Sequence, residues 1–439
     1  MLQQLLDNFV NMIFTILLII LYSLIFSVMI WRNNFLSANG ISKFFLIGFF
    51  LLKVVVGILY VWLHAEYFHG ADLYFYFRDS QIVTNTLYHQ PLTFLELTFG
   101  PNGDQYIPTH LDSYIRTMGF WGDSSAYMMV RINAIFNLFS FGHYYVNTVF
   151  MSFISFCAFV FILKILPVAS IQKKFLPSLN VVMILFFPSV LFWCSGIHKE
   201  TLVIFGVAMS IYCLSEILKK GLSIGKFTGL VLSLMLLYIT RDFVFFLLIP
   251  CMIAFYWSTK FPRFAFWKFL SVYVILIFCG LFVQVPHYHT TFPELIQARH
   301  KAFHHLKGDS NIPIPEIESS KDVFLNVPKA LYNSIFQPTP FTARNTWEKM
   351  MSIENSILLL LVLIHVFLLI KSGKQIFKLP LYWFCIFFSL SLYVIIGLIV
   401  PNLGALARYR SVPLLFLLIA ISIPIQIATE QRKQKRLNN

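Results

Sequence analysis

Three short segments of this 439-residue chain gather side chains capable of acid–base and anion chemistry. The first is HAEYFHGADLYFYFRDS, in which Asp72 follows a Gly-Ala pair among Tyr67, Tyr74 and Tyr76, with Arg78 and Asp79 behind it. A carboxylate set among aromatics could serve as a base toward a hydroxyl. It could equally be a solvated loop acid or the partner of Arg78. The second is PSVLFWCSGIHKET, where His198, Lys199 and Glu200 follow a sharp Ser195-Gly196 turn. Lys199 at the N-terminus of the next helix could bind a phosphate; the plainer reading is an interfacial cap with both charges in water. The third is PNLGALARYRS, where Arg408 and Arg410 straddle Tyr409. Arginines at a hydrocarbon boundary are costly without an anion, and guanidinium suits bidentate phosphate contact. Lipid headgroups are the other anions they could hold. Arg241-Asp242 is a lesser element, read as a local ion pair in a hairpin turn, and Arg344 and Glu354 are weaker still.

The elements that must position these groups are membrane helices. The chain is 58% hydrophobic and 12% charged, so a bilayer has to be the solvent for most of it. The expected fold is all-α, a polytopic transmembrane bundle forming one integral membrane domain over 1–439. Apolar runs at 9–31, 44–63, 143–163, 178–195, 201–218, 227–240, 243–257, 269–285, 354–370, 380–400 and 412–428 make eleven candidate spans. The start, MLQQLLDN, lacks a basic n-region, so the first run reads as a retained helix. Segments 227–240 and 243–257 are short. One continuous helix across 227–257 is the rival, but it would put every later basic loop outside. Pro188 and Pro250 suggest kinks or breaks.

Alternate loops are basic: Arg32 and Lys43, then Lys164, Lys173 and Lys174, then Lys219, Lys220 and Lys226. Lys260, Arg263 and Lys268, then Lys371, Lys374 and Lys378, and the tail 429–439 continue the series. Only Glu216 and Glu430 share that side. The asymmetry places these loops in the cytoplasm, with the N-terminus out and the C-terminus in. The formal charge of +14 is spread over short loops and forms no stripe, which argues against nucleic acid. Lys53, inside the second run, is expected to snorkel.

Two long loops, 64–142 and 286–352, then face outward. The first holds amphipathic stretches at 82–97 and 126–139 that are expected to lie in the interface plane. The second is rich in His287, His289, His300, His304 and His305. His300 and His304 share a helical face, but no HExxH accompanies them, so a polar covering loop is the reading and not zinc. The six cysteines lie in or beside apolar runs without zinc spacing. No Walker loop, GxGxxG or GxSxG occurs, which removes soluble-type ATP, NAD and serine-hydrolase chemistry.

Taken together, these residues resemble the integral-membrane glycosyltransferases of the GT-C type and the related O-antigen and exopolysaccharide polymerases. GADLYFYFRDS matches the first-loop acid of those families. FPSVLFWCSGIHKE looks like their Pro-Ser…Trp-x-Ser-Gly…Lys-Glu/Asp segment, and ARYRSVP like the Arg-Tyr-Arg…Pro segment opening a late helix. In the family the acid follows the first helix of a chain starting in the cytoplasm; here it follows the second.

The resemblance implies a GT-C-like fold in a bacterial plasma (inner) membrane and a polyprenyl-phosphate-linked sugar donor. The acceptor would be a glycan, lipid or protein. Asp72 and Asp79 would be the catalytic acids, and Lys199, Arg408 and Arg410 would bind phosphate. Arg78, His198, Glu200, Arg241 and Asp242 would support them, with Tyr74, Tyr76 and Trp193 stacking on sugar faces. No cofactor is fixed; a divalent cation, Mg or Mn, could sit beside Asp72 and Asp79. A polysaccharide polymerase or ligase is the near alternative. A lipid or solute transporter or flippase is the distant one, disfavoured by the scarcity of charges inside spans. A non-catalytic envelope scaffold would tolerate alanine at all these clusters.

Overall fold

A backbone in hydrocarbon must satisfy its own N–H and C=O groups, which restricts the chain to helices wherever lipid surrounds it. The computed structural model describes residues 2–38, 40–67, 72–166, 178–284, 289–304, 310–314 and 316–438, and among them the secondary structure is helical. Its one β feature is an isolated bridge between Asn311 and Asn402. Nine helices among the described residues are long and apolar enough to cross a bilayer: Phe9–Arg32, Lys43–Tyr67, Tyr144–Ile165, Lys199–Lys220, Asp242–Lys260, Ala265–Phe282, Thr346–Ile370, Pro380–Ile399 and Ser411–Thr429. That set fits a multi-pass helical membrane protein.

Two of the eleven expected runs differ. The run 178–195 is divided into Leu179–Phe186 and Pro188–Trp193, because Pro188 has no N–H to continue the first helix and instead opens the second. The run 227–240 belongs to Ile224–Thr240, a helix of 17 residues, about 26 Å at 1.5 Å per residue and shorter than a typical hydrocarbon core. It stops at Arg241, and a new helix begins at Asp242, so 227–257 is not one continuous helix. Pro250 stays inside Asp242–Lys260.

The described chain forms two compact units. The first comprises Met1–Ser178, Leu191–Cys213 and Ile224–Asp242; the second comprises Leu179–Val190, Leu214–Ser223 and Phe243–Asn439.

In the first unit the Leu2–Arg32, Lys43–Trp62 and Tyr144–Ile165 helices pack through aromatic rings, Phe26 stacking on Phe153 at 4.2 Å. Only 11% of the Phe9–Arg32 window is buried, the pattern of a helix whose outer faces meet lipid. The first long loop folds into helices Asp72–His89, Pro91–Phe99, Asp112–Ile115 and Ser124–Ser140. The expected stretch 82–97 is therefore split, with Pro91 starting a helix of its own. The stretch 126–139 does not spread over a surface: Tyr127, Met129, Val130, Asn133 and Ala134 are fully buried. A polar ladder docks it. Asn137 Nδ2 donates to Ser80 Oγ at 3.0 Å and Thr84 Oγ1 at 3.1 Å, and Asn147 Nδ2 donates to Asn133 Oδ1 at 3.1 Å and Asn137 Oδ1 at 2.8 Å. The spacing of Ile, Leu and Phe along this stretch marks an apolar face, but here that face meets protein.

In the second unit the Pro380–Ile399 helix packs against Ser411–Asn438 and against Val327–Phe336 from the second loop. Small residues set the latter contact. A Cβ at Gly397 would lie 2.0 Å from the Ala330 carbonyl oxygen, so the loop helix can rest on the span only because Gly397 has no side chain. His300 donates from Nδ1 to Leu398 O at 2.8 Å, which docks this buried ring on the Pro380–Ile399 helix.

Gly397→Ala should therefore destabilise the protein by about 1–3 kcal/mol, the usual cost of forcing a methyl into a filled contact. Gly48→Ala, at a helical glycine whose added Cβ would meet nothing within 4 Å, should be neutral or slightly stabilising. Thermal unfolding of both in one detergent gives the comparison; equal midpoints would remove the close-contact argument.

Candidate functional site

The functional candidates in the first unit are placed by a break in helix. Pro188–Trp193 ends, residues 194–198 turn, and Lys199 opens the helix Lys199–Lys220. The chain crosses Tyr60 at Gly196, where a Cβ would lie 2.3 Å from the ring carbon Cδ1, so only glycine lets the backbone pass. Around Tyr60 stand the rings of His64, Phe192, Trp193 and His198, with centroids 4.2 to 6.0 Å away.

Beyond the turn lies a buried charge cluster. Glu200 is 1% exposed. Its Oε1 accepts from Arg241 Nη2 at 2.9 Å, across 41 residues of sequence, and its Oε2 pairs with His198 Nδ1. Lys199 donates to Ser125 Oγ at 2.9 Å and lies 3.7 Å from Asp123 Oδ2, with the Tyr76 ring beneath it at 5.9 Å. Ser125 passes the chain on, donating to Thr240 O at 2.9 Å. Asp123 is the N-cap of Ser124–Ser140, its Oδ1 accepting from Ser125 N and Ala126 N. Its side chain is 56% exposed, which makes it the open edge of this cluster. The arrangement places one solvent-reachable carboxylate beside a held ammonium, with a second ion pair buried below.

The site includes residues that sequence reasoning missed. Asp123 and Ser125 carried a local signal, Asp before a helical pattern, but nothing local ties an N-cap to a lysine 74 residues away.

The first-loop acids divide. Asp72 is exposed and opens Asp72–His89, where a carboxylate complements the helix dipole; it precedes buried Tyr76 by one turn. The Gly-Ala pair before it lies outside the described residues. Asp79 has another task. It is completely buried, and its Oδ2 accepts from Gly119 N at 2.8 Å and Phe120 N at 3.1 Å, while Oδ1 accepts from Arg78 Nη2 at 3.1 Å. A carboxylate so engaged anchors the loop 116–122, and the expected reacting-acid role does not suit it. Arg78 pairs with Asp79, and its guanidinium covers the Phe75 ring at 5.0 Å. Tyr74 is 55% exposed and open to a ligand, but Tyr76 is 2% exposed with its ring against Phe120, so the expectation that it stacks on a sugar is corrected by its burial. Asp242, half-buried, opens Asp242–Lys260.

Arg408 and Arg410 belong to the second unit. Asn402 Oδ1 caps the short helix Leu403–Tyr409 by accepting from Ala405 N, and the second loop flanks it through Ile312 N to Pro401 O at 2.9 Å and Leu403 N to Ser310 O at 3.1 Å. The two arginines do not form one clamp, because residues two apart point to different sides of a helix. Arg408 is half-buried, its guanidinium 5.0 Å over the Tyr409 ring. Arg410 is 2% exposed. Its Nη1 donates to Gln337 O at 3.2 Å, and its buried Nε and Nη2 have no hydrogen-bond partner among the described residues. Burial pulls this guanidinium below the usual arginine range, opposed by Glu354 and then Tyr393. Glu354 is itself held by Ser189, through Oγ at 2.7 Å and N at 3.3 Å, and the fully buried Tyr393 hydroxyl has no hydrogen-bond partner among the described residues. Arg410 and Tyr393 thus bring unengaged donors to one interior region, where an acceptor such as an oxyanion would satisfy them.

Among the described residues no group of three His, Cys, Asp or Glu is placed to hold a metal ion.

Removing the Asp79 anchor leaves two backbone N–H groups without their acceptor, at about 1–3 kcal/mol each. In Asp79→Ala, tryptic cleavage at exposed Arg116 should speed about tenfold or more, while Asp72→Asn cleaves at the wild-type rate. An unchanged rate in Asp79→Ala would show that the loop is held by something else.

No family model, no curated protein and no solved structure matches this chain.

Proposed function

We propose that the protein is a membrane glycosyltransferase that moves a sugar from a polyprenyl-phosphate-linked donor to an acceptor on the extracytoplasmic face, in envelope glycan or glycolipid synthesis. The observation that carries this reading is Arg410: a guanidinium 2% exposed, with two N–H-bearing nitrogens that have no hydrogen-bond partner among the described residues. Buried donors without acceptors are costly, and a phosphate oxygen is the acceptor a guanidinium fits best.

The chemistry assigned to the residues is a single displacement. The acceptor hydroxyl attacks the anomeric carbon, the bond from that carbon to the phosphate oxygen breaks, and the phosphate leaves with the electron pair. Asp72, exposed at its helix start, takes the hydroxyl proton. Arg410 neutralises the leaving phosphate. Tyr74 offers an exposed ring to a sugar face. Glu200, His198 and Arg241 keep Lys199 in place through their buried pairing.

The test uses purified protein in nanodiscs with polyprenyl-phosphate sugars and a panel of acceptors. Transfer is expected for one donor, with Asp72→Asn and Arg410→Gln each slowing it about a hundredfold or more. A single addition marks a transferase and a ladder of products a polymerase. Wild-type turnover in Asp72→Asn would remove the base, and undiminished binding of polyprenyl phosphate by Arg410→Gln would remove the phosphate seat.

A further inference from the structure

The Lys43–Tyr67 span carries a lysine near its middle, and the lysine does not snorkel. Lys53 is 0% exposed. Its ammonium donates to Ser195 Oγ at 3.0 Å and sits 4.6 Å from the Phe159 ring centroid and 5.5 Å from that of Phe49. Among the described residues no carboxylate lies within ion-pair distance of it. A cation here is expensive: it has left water, a hydroxyl and two ring faces replace its hydration, and no opposite charge offsets the loss.

What that residue holds is the break in helix ahead of the charge cluster. Residues 194–198 are turn rather than helix, and non-helical backbone inside a membrane domain needs other donors for its carbonyls. The Tyr144–Ile165 helix supplies two: Ser155 Oγ donates to Cys194 O, and Ser152 Oγ donates to Ser195 O at 2.7 Å. Thr201 Oγ1 donates to Gly196 O at 3.0 Å. The Lys43–Trp62 helix supplies the rest of the seat along one stripe. Lys53 grips the Ser195 side chain, and Gly57 leaves room for the Ser195 carbonyl, which would stand 2.6 Å from a Cβ there. The Tyr60 ring lies against Gly196. Spacings of four and three keep these residues on one helical face. These three carbonyls of the turn have hydroxyl donors; the side chain of Ser195 accepts from the Lys53 amine and donates to Leu191 O.

We infer that Lys53 is a positioning residue, whose hydrogen bond to Ser195 fixes the turn at 194–198 and thereby the placement of His198, Lys199 and Glu200. The inference needs only the geometry of the first unit, so it stands whether or not the cluster transfers sugar.

Cys194, 0% exposed and next to Ser195, reports on the turn without any added probe. The experiment measures its modification by N-ethylmaleimide in the intact protein in nanodiscs, followed by peptide mass spectrometry, with exposed Cys279 as the reference thiol. Lys53→Met keeps the length and loses the N–H donors. It should raise the Cys194 rate about tenfold while leaving the thermal midpoint unchanged or higher, because a costly buried charge has gone. Ser195→Ala should raise the rate similarly, and the double variant no further than the larger single effect, as expected for one shared interaction. A Lys53→Met protein in which Cys194 stays as protected as in wild type, or a double variant whose effects multiply, overturns the assignment. Should Lys53→Met not fold, Lys53→Leu takes its place, because Ser195→Ala also removes the Ser195 bond to Leu191 O: a tenfold rise supports the Lys53 bond, and an unchanged rate removes it.

Discussion

Helix is interrupted at residues 194–198, between Trp193 and Lys199, in a domain built to sit in lipid, and much of the first unit is arranged to make that interruption tolerable. Water is absent from hydrocarbon, so each freed carbonyl needs a donor from protein. Ser152, Ser155 and Thr201 provide them, and the missing side chains of Gly57 and Gly196 let the backbone come close enough for the bonds to form. The gain is a helix N-terminus delivered to a chosen place. Lys199 and Glu200 start a new helix directly after the turn, with their side chains committed to partners from the first loop and from Arg241.

Charge burial follows two different patterns in the two units. In the first, Glu200 is matched by Arg241 and His198, a compensated group of the kind that is weak as a source of stability but strict about geometry, since loss of one partner strands the others. In the second, Arg410 is less completely matched. Its Nη1 donates to a backbone carbonyl, Glu354 is engaged by Ser189, and two guanidinium nitrogens remain unsatisfied. A satisfied cluster is a scaffold; an unsatisfied one invites a ligand.

The first loop shows how amphipathicity is ambiguous in a membrane protein. An apolar face on a loop helix can meet lipid or other helices, and the Ser124–Ser140 helix meets helices, its Asn133 and Asn137 joined to Asn147 of a span. The Pro91–Phe99 helix shows both faces at work, with Phe94 and Leu97 in the core and Leu92 and Phe99 exposed at 82% and 69%. Outward apolar residues on a short helix of this kind are suited to the lipid interface.

Hydropathy and local punctuation determined a good deal by themselves. The all-helical, multi-pass character, nearly all of the long apolar helices, the break at Pro188, the stop before Asp242 and the helix start at Lys199 are local matters: they depend on runs of apolar residues, on proline's missing N–H and on polar residues at helix ends. Tertiary structure alone decided which charged groups are buried and which are exposed. Asp72 and Asp79 look alike in sequence, yet one is exposed and the other is bound to amides some 40 residues on. Arg408 and Arg410 look like a pair, yet helix geometry parts them. Lys53 looks like a snorkelling side chain, yet its partner lies 142 residues away. Hydrogen bonds of such sequence separation leave no periodic trace in the chain, because they are chosen by how helices pack and not by which residues are neighbours.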